Sequence, residues 1–195
     1  VRRYLYVIDY YYSYKFRERT ISIGNVTMGG SGKTPFLKWV LENIGKDSGV
    51  LISSRGYKSK AESSGILVDP ERYDKYEAAE IGDENFELIS CIQKGSIAVG
   101  KKRTELIKKA LKKDNYDYIL LDDAFQHLKI QRDLNIVLFN AMMDCRLLRV
   151  FPSGVLREGL ASLYNADLVI YTNCFSTKVD KNENQLRSRI SPFLC

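Results

Sequence analysis

A glycine-rich segment near the start of the chain has the residue types that bind a phosphate group. It reads Gly24-Asn25-Val26-Thr27-Met28-Gly29-Gly30-Ser31-Gly32-Lys33-Thr34 and follows the apolar run Ile21-Ser22-Ile23. Glycines let successive backbone N–H groups turn toward an anion, and the N-terminus of a following helix adds partial positive charge. Lys33 is expected on the β- and γ-phosphates, and the Thr34 hydroxyl on Mg²⁺. A plain glycine-rich turn is the alternative.

Two positions separate subclasses of such phosphate loops. Thr27 stands where the loop normally has its first glycine. Met28 stands where partition-type ATPases have a second lysine, which disfavours that subclass.

Two adjacent carboxylates form the second candidate cluster. Asp122 and Asp123 directly follow the apolar run Tyr118–Leu121. In P-loop enzymes an acid at the end of a neighbouring strand holds Mg²⁺ opposite the loop. The alternative is that one or both cap the following turn. His127, the only histidine of the chain, follows closely and is interpreted either as a packed residue or as a substrate or phosphate contact.

The elements that must position these residues alternate along the chain. Short apolar runs predict strands, and amphipathic stretches between them predict helices at Thr34–Ile44, Asp83–Gln93 and Lys101–Lys113. Asp83 is expected to cap its helix, with Phe86, Ile89 and Ile92 along one face. This rhythm predicts one doubly wound α/β domain over residues 20–195, after an N-terminal arm over residues 1–19. The predicted strands are Thr20–Ile23, Val50–Ser53, Ile66–Val68, Ser96–Val99, Tyr118–Leu121, Leu134–Phe139 and Leu168–Tyr171.

The composition and charge of the chain exclude several classes of protein. The 195 residues are 45% apolar and 11% aromatic, which excludes a disordered tail, and no apolar run is long enough to span a membrane. The net charge of +6 suits an anionic partner. No nucleic-acid-binding motif accompanies the basic residues, so nucleic acid is not an expected partner. The four scattered cysteines indicate reduced thiols in a cytoplasmic setting.

Six ordered motifs together resemble one enzyme family. The phosphate loop, including Thr27, is similar to that of the tetraacyldisaccharide 4'-kinases of lipid A biosynthesis. Further family motifs follow in the family's order, so the resemblance covers nearly all of residues 20–173. They are Ser54-Arg55-Gly56-Tyr57, Gly82-Asp83-Glu84, Val99-Gly100 with Arg103, Asp122-Asp123-x-Phe125-Gln126-His127 with Arg132-Asp133, and Phe151-Pro152-x-Gly154-x-Leu156-Arg157-Glu158.

The resemblance implies a P-loop NTPase-like fold with a mostly parallel sheet flanked by helices, and a kinase with ATP and Mg²⁺ as cofactors. Such an enzyme transfers the γ-phosphate of ATP to the 4'-hydroxyl of tetraacyldisaccharide 1-phosphate, an anionic glycolipid. The implied catalytic residues are Asp83 as the base, Lys33, Asp123 and Arg103. ATP is expected on Thr27, Met28, Gly29, Gly30, Ser31, Gly32, Lys33 and Thr34; Mg²⁺ on Thr34, Asp122, Asp123 and Glu158; and the acceptor on Asn25, Arg55, Tyr57, Gln126 and His127.

The chain also departs from the family pattern. Ser153 and Val155 stand where the family usually has Ala and Pro. Family members are longer and have a second lobe that supplies a histidine partner for the catalytic aspartate. We therefore expect this chain to be the first lobe alone, with nucleotide affinity but little or no turnover.

The arm suggests the location of the protein. Residues 1–19 are rich in tyrosine, arginine and lysine. Aromatic rings favour the headgroup zone of a bilayer, and cations favour anionic lipids there. We expect a helix lying on the cytoplasmic face of the bacterial inner membrane, on a monomeric enzyme; packing of the arm on the protein is the alternative.

Two other function classes share some of these features. A P-loop GTPase or ATPase acting as a switch or metal-delivery module would use the same loop and acids, although Asn173 is not followed by the residues of a guanine-binding motif. A non-catalytic lipid-binding fragment is the third interpretation.

Overall fold

A computed structural model describes residues 12–174 and 181–194. Strands and helices alternate through most of this length, as the sequence predicts, with several short 3₁₀ turns between them. The strands are β1 (Arg19–Gly24), β2 (Val50–Ser54), β3 (Ile66–Val68), β4 (Gly95–Val99), β5 (Tyr118–Asp122), β6 (Leu134–Asn140) and β7 (Leu168–Thr172). The helices are α1 (Lys33–Ile44), α2 (Ala61–Ser64), α3 (Ala78–Ile81), α4 (Asp83–Ile89), α5 (Arg103–Leu111) and α6 (Lys181–Ile190).

The seven strands form one sheet in the order β3-β4-β2-β5-β1-β6-β7. Neighbouring strands pair in parallel, except that β3 is antiparallel to β4 at the edge. The phosphate-loop strand β1 lies between β5 and β6. Strands β2 to β5 lie on one side of β1, and β6 and β7 lie on the other, so the strand order reverses at β1. In open α/β sheets, ligands bind at the carboxyl ends of the strands where the strand order reverses. The topology therefore places the loop after β1 beside the acids that end β5.

The sheet is buried on both faces because its strands are apolar at successive positions. On one face, Ile23, Ile52 and Leu120 pack with residues of α1 and α4. On the other, Leu51 and Leu121 pack with α5, and Val137 of β6 packs with the segment that follows β6. Successive side chains of a strand point to opposite faces, which explains this division. The expected doubly wound arrangement is confirmed.

Two predicted helices are shorter than the sequence suggested. α4 ends at Ile89 instead of Gln93, because Gly95 must already lie in register with Val50 at the start of β4. Asp83 is the first residue of α4 rather than its cap; Gly82 precedes it with φ 93°. Phe86, predicted on the buried face, is exposed. α5 begins at Arg103 rather than Lys101 and ends at Leu111 rather than Lys113.

The described part of the N-terminal arm is extended and not helical. Within residues 12–18, Tyr14 forms a parallel bridge with Ile130, and its N–H donates to the carbonyl of Lys129 at 2.8 Å. Phe16 is buried against the α5 face of the sheet. The prediction of a helical arm is therefore wrong for this stretch, because backbone pairing with residues 129–131 competes successfully with helix formation. The prediction for residues 1–11 lies outside the described residues.

No helix within the described ranges is long and apolar enough to cross a bilayer.

Candidate active site at the carboxyl end of the sheet

The phosphate loop is held in place by one contact across the loop and by contacts with two other segments. The buried Asn25 Nδ2 donates to Ser31 Oγ at 2.9 Å across the loop. Thr172 Oγ1, at the end of β7, donates to the Ser31 carbonyl at 2.9 Å. The N–H of Met28 donates to the carbonyl of Val155 at 2.7 Å. These contacts within the protein fix the shape of the loop, which lowers the entropy cost of binding a nucleotide.

The first turn of α1 presents its backbone donors to the cavity above the loop. Gly32 precedes α1 with φ 75°, a conformation that favours glycine, and no side chain caps the helix. The free N–H groups and the helix dipole make this end a suitable anion site. A cavity of about 600 Å³ lies here, a volume in the range of small-molecule pockets. Its walls are Gly29, Gly30, Ser31, Gly32, Lys33, Thr34, Pro35, Ser54, Arg55, Gly56, Tyr57, Glu84, Asp122, Asp123 and Arg157.

The two aspartates at the end of β5 lie in different environments. Asp122 is buried, and Ser54 Oγ donates to its Oδ2 at 3.3 Å. Asp123 has φ 45°, which turns the chain away from the strand direction. Its carboxylate accepts two hydrogen bonds from Arg157 Nη1, at 2.8 and 3.0 Å, and lies 3.5 Å from Lys33 Nζ. The phosphate-loop lysine and the second aspartate therefore form an ion pair.

Burial and charge separate the ionisation of the two acids. Burial raises the pKa of Asp122 to about 6, although the nearby Arg103 guanidinium acts to lower it. For Asp123, burial acts to raise the pKa, but Lys33 and Arg157 outweigh burial and hold the pKa below its ordinary value. Asp123 thus stays ionised under all physiological conditions, and Asp122 can exchange its proton near neutrality.

The acid pair fits a Mg²⁺ ion bound together with a triphosphate. Within the described residues, Asp122 Oδ1 is buried and accepts no hydrogen bond, so one carboxylate oxygen is available at the cavity wall. Mg²⁺ is commonly held by one or two carboxylates plus phosphate oxygens and water. Thr34 lines the same cavity and supplies a hydroxyl. Glu158 is half-buried, and the described ranges contain no group of three or more His, Cys, Asp or Glu able to hold a metal. The structure thus does not gather Glu158 with the two aspartates.

A second, cationic cavity lies on the other side of Asp123. Its volume is about 350 Å³, and it shares Arg55, Asp123 and Arg157 with the first cavity. The remaining walls are Lys101, Arg103, Gln126 and His127. Four Arg and Lys side chains thus face one carboxylate, so the cavity suits an anion. Arg55 and Lys101 also pair with Glu62, which reduces this excess.

Arg103 is the most constrained cation of this second cavity. Its side chain is buried, and within the described part of the chain its Nη1 has no hydrogen-bond partner. Burial lowers the pKa of Arg103, while Asp122 and Asp123 oppose that change. A buried guanidinium with an unused donor is costly unless a ligand or another charge satisfies it. Arg103 is therefore a candidate anion-binding residue.

The remaining predicted site residues are dispersed. Asp83 is exposed and does not line the first cavity, whereas its neighbour Glu84 does. Tyr57 lines the first cavity with an exposed ring. Thr27 is buried, and its backbone forms an antiparallel bridge with Leu156, so it fixes the loop backbone and does not line the first cavity. Two predicted acceptor residues are joined, since Gln126 Nε2 donates to the Asn25 carbonyl at 2.9 Å.

Sequence reasoning missed three polar side chains of the first cavity, besides Pro35 and Gly56 of its wall. Arg157, Ser54 and Glu84 all line it, and Arg157 makes the shortest contact to Asp123. Each lies inside a motif that the sequence singled out, directly beside or near a residue that was assigned a role. Position within a motif was therefore the available signal.

Comparison with known proteins decides the family. The sequence profile described as Tetraacyldisaccharide-1-P 4'-kinase matches residues 1–193. The chain belongs to this family. Proteins named tetraacyldisaccharide 4'-kinase include one from Geobacter sulfurreducens, 36% identical over 81% of this chain and 45% of that protein, and one from Halothermothrix orenii, 30% identical over 93% and 47%. The chain thus spans about half the length of these relatives.

A solved member of the tetraacyldisaccharide 4'-kinase family has the same fold. The "apo" form of LpxK from Aquifex aeolicus in complex with ATP superposes with a TM-score of 0.78. It is 35% identical, and the match covers 88% of this chain and 53% of that one. The P-loop NTPase-like fold predicted from the motifs is confirmed.

Proposed function

We propose that the whole protein transfers the γ-phosphate of ATP to the 4'-hydroxyl of tetraacyldisaccharide 1-phosphate. One observation carries this proposal beyond family membership. The nucleotide-sized cavity and the cationic cavity share a wall formed by Arg55, Asp123 and Arg157. A triphosphate in one cavity and an anionic acceptor in the other would meet at this wall.

On the donor side, this chain supplies position and charge. The loop N–H groups and Lys33 would hold the phosphates, and Lys33 already lies 3.5 Å from Asp123. Mg²⁺ held by Thr34, Asp122 and Asp123 would neutralise charge that develops on the transferred group. Contacts within the protein hold Lys33 and Arg157 on Asp123, so little reorganisation would be needed during the reaction.

On the acceptor side, the chain offers cations and a carboxylate. Arg103, Arg55 and His127 line the cationic cavity, where the 1-phosphate of the glycolipid would bind. Asp83 would accept the proton of the 4'-hydroxyl, because a sugar hydroxyl needs a base during attack. Asp83 is exposed at the first residue of α4, and its neighbour Glu84 lines the first cavity, which supports this assignment.

Phosphoryl transfer to the purified glycolipid in detergent micelles tests the assignment of the base. Asp83→Asn should retain ATP affinity and lose transfer by about 10²-fold or more, whereas the matched variant Glu84→Gln should retain most of the rate. If Glu84→Gln loses the rate and Asp83→Asn does not, the base is wrongly assigned. If the wild-type whole protein transfers no phosphate to this glycolipid, the proposed function is wrong.

We further propose that the enzyme acts as a monomer on the cytoplasmic face of the bacterial inner membrane. The acceptor has four acyl chains and ATP is cytosolic, so the two substrates meet only at that surface. Residues 1–19 remain the proposed membrane arm, although residues 12–18 pack on the protein. For the chain of 195 residues alone, we propose nucleotide affinity with little turnover, since the relatives are about twice as long.

A further inference from the structure

Four large apolar side chains project into solvent from one short segment beside the active site. Met142 is 60% exposed, Leu147 47%, Val150 47% and Phe151 61%. We call these four residues the exposed loop surface. Single exposed apolar residues are ordinary, but several on one loop mark an interaction site.

The exposure is not a consequence of a loose loop. Backbone bonds join Phe151 N–H to the Leu156 carbonyl at 2.9 Å and Val155 N–H to the Leu147 carbonyl at 3.0 Å. Leu148 and Leu156, on the inner side, are buried. A side chain at Gly154 would collide with the carbonyls of Leu147 and Arg149, so the loop closes tightly there. The loop is folded with its apolar side chains held outward.

The segment that carries the exposed loop surface has a small positive net charge. Residues 142–158 contain three arginines against Asp144 and Glu158, and Arg157 pairs with Asp123. Arg146 pairs with Asp144, but Arg149 makes no ion pair within the described ranges. Arg189 of α6 donates to the Cys145 carbonyl at 2.8 Å, which adds a cation at the base of the loop. Apolar tips with interspersed arginines match the interface of an anionic bilayer, where the tips enter the acyl boundary and the cations meet headgroups.

The loop is also tied to the phosphate-binding machinery. Val155 accepts from Met28 N–H, and Arg157 N–H donates to the Val26 carbonyl at 2.7 Å. A bilayer in contact with the exposed loop surface would therefore lie next to the nucleotide cavity, where an acyl-chain-bearing acceptor must arrive. This step rests on the proposed function.

From these observations we infer that Met142, Leu147, Val150 and Phe151 form a second membrane-contact surface, separate from the N-terminal arm, that inserts into anionic phospholipid. The contact is reversible, and it orients the active site toward the bilayer. Arg149 strengthens it by about 1 kcal/mol, since that is the usual contribution of one cation near an anionic surface.

The native tryptophan of the chain provides a fluorescence control for a test of this inference. Trp39 is its only tryptophan, and it is exposed on α1, which packs against the opposite face of the sheet. In a Trp39→Phe background, Phe151→Trp places the sole indole on the exposed loop surface. The whole protein is mixed with vesicles of phosphatidylcholine and phosphatidylglycerol, with or without lipids brominated on the acyl chains, in the absence of ATP and glycolipid. Quenching reports how deeply the indole at position 151 enters the bilayer, even if another segment also anchors the protein.

We expect the indole at position 151 to shift to shorter wavelength on vesicle addition and to be quenched by brominated lipid, while native Trp39 is not. Adding Arg149→Gln should weaken vesicle affinity about fivefold, which corresponds to about 1 kcal/mol. Absence of quenching at position 151, or equal quenching at both positions, would overturn the inference. An indole at position 151 that is already shielded without vesicles would indicate a protein segment there instead. None of these outcomes alters the kinase test, which is made in micelles, and loss of kinase activity would leave the quenching unchanged.

Discussion

Gly24 is the point where the two halves of the candidate site come closest. It ends β1, and a side-chain carbon built on it would lie 2.8 Å from both the N and the Cβ of Phe125. Phe125 lies two residues after Asp123 and is fully buried. Gly24→Ala therefore forces the phosphate loop and the acid-bearing segment apart.

The contact distances set the size of the effect. Ordinary contact begins near 3.4 Å, so Phe125 must move by about half an ångström inside a packed core. Overpacking of this kind costs about 1–3 kcal/mol, and replacing a strand glycine returns about 0.5–1 kcal/mol. We expect a net loss of about 1–2 kcal/mol, which lowers the melting temperature by about 2–8 °C for a chain of this size.

Thermal unfolding by circular dichroism without nucleotide measures the loss, and Gly159→Ala is the matched control. Gly159 has φ −60°, and among the described residues beyond its chain neighbours no atom lies within 4 Å of the position that its added methyl carbon would take, so this variant should change stability by about 0.5 kcal/mol or less. Gly24→Ala should also weaken ADP binding in calorimetry, because the displaced backbone carries both acids. If the two variants melt at the same temperature, the steric argument is refuted.

Three further predictions concern the charged groups. The pKa of Asp122 in the folded chain, about 6, lies above its ordinary value, so the carboxyl is neutral below that pH; Mg²⁺-dependent ADP affinity should fall from pH 7 to pH 5 by calorimetry, and constant affinity would contradict this. Arg157→Gln removes two hydrogen bonds from Asp123, so carboxyl NMR should show a higher pKa for Asp123; an unmoved titration would count against the pair. The nearby Arg103 acts to lower the pKa of Asp122, so Arg103→Met should raise that pKa further, whereas the exposed Lys102→Met should leave it unchanged in carboxyl NMR; equal titrations in the two variants would disprove the electrostatic coupling.

Much of the fold could be predicted from the sequence because local patterns determine it. All seven predicted strands exist, each within one residue at its ends, since short apolar runs between turns have few other interpretations. The order of the strands was not predictable in this way, because pairing between β1 and β5 depends on contacts about a hundred residues apart. The predicted end of α4 and the predicted start of α5 were wrong, because Gly95 and Gly100 delimit β4 between these two helices.

The sequence predicted which residues make up the candidate site better than it predicted the burial and the charged neighbours of each. Lys33, Asp122 and Asp123 come together as their spacing indicates. Nothing in the sequence indicated that Asp122 would be buried and that Asp123 would pair with Arg157, because the burial of a side chain is decided by residues distant in sequence. Glu84 rather than Asp83 lines the cavity for the same reason: the start of α4 fixes which side chain points inward.

The central place of β1 has a consequence for biosynthesis. Its two neighbours in the sheet, β5 and β6, are translated roughly a hundred residues later. A nascent chain therefore carries a finished phosphate-loop sequence long before any partner strand exists to fold it. Nucleotide cannot assist the early steps, and apolar strand edges stay open on the ribosome until residue 140 has emerged, so the segment in between is where chaperones are needed most.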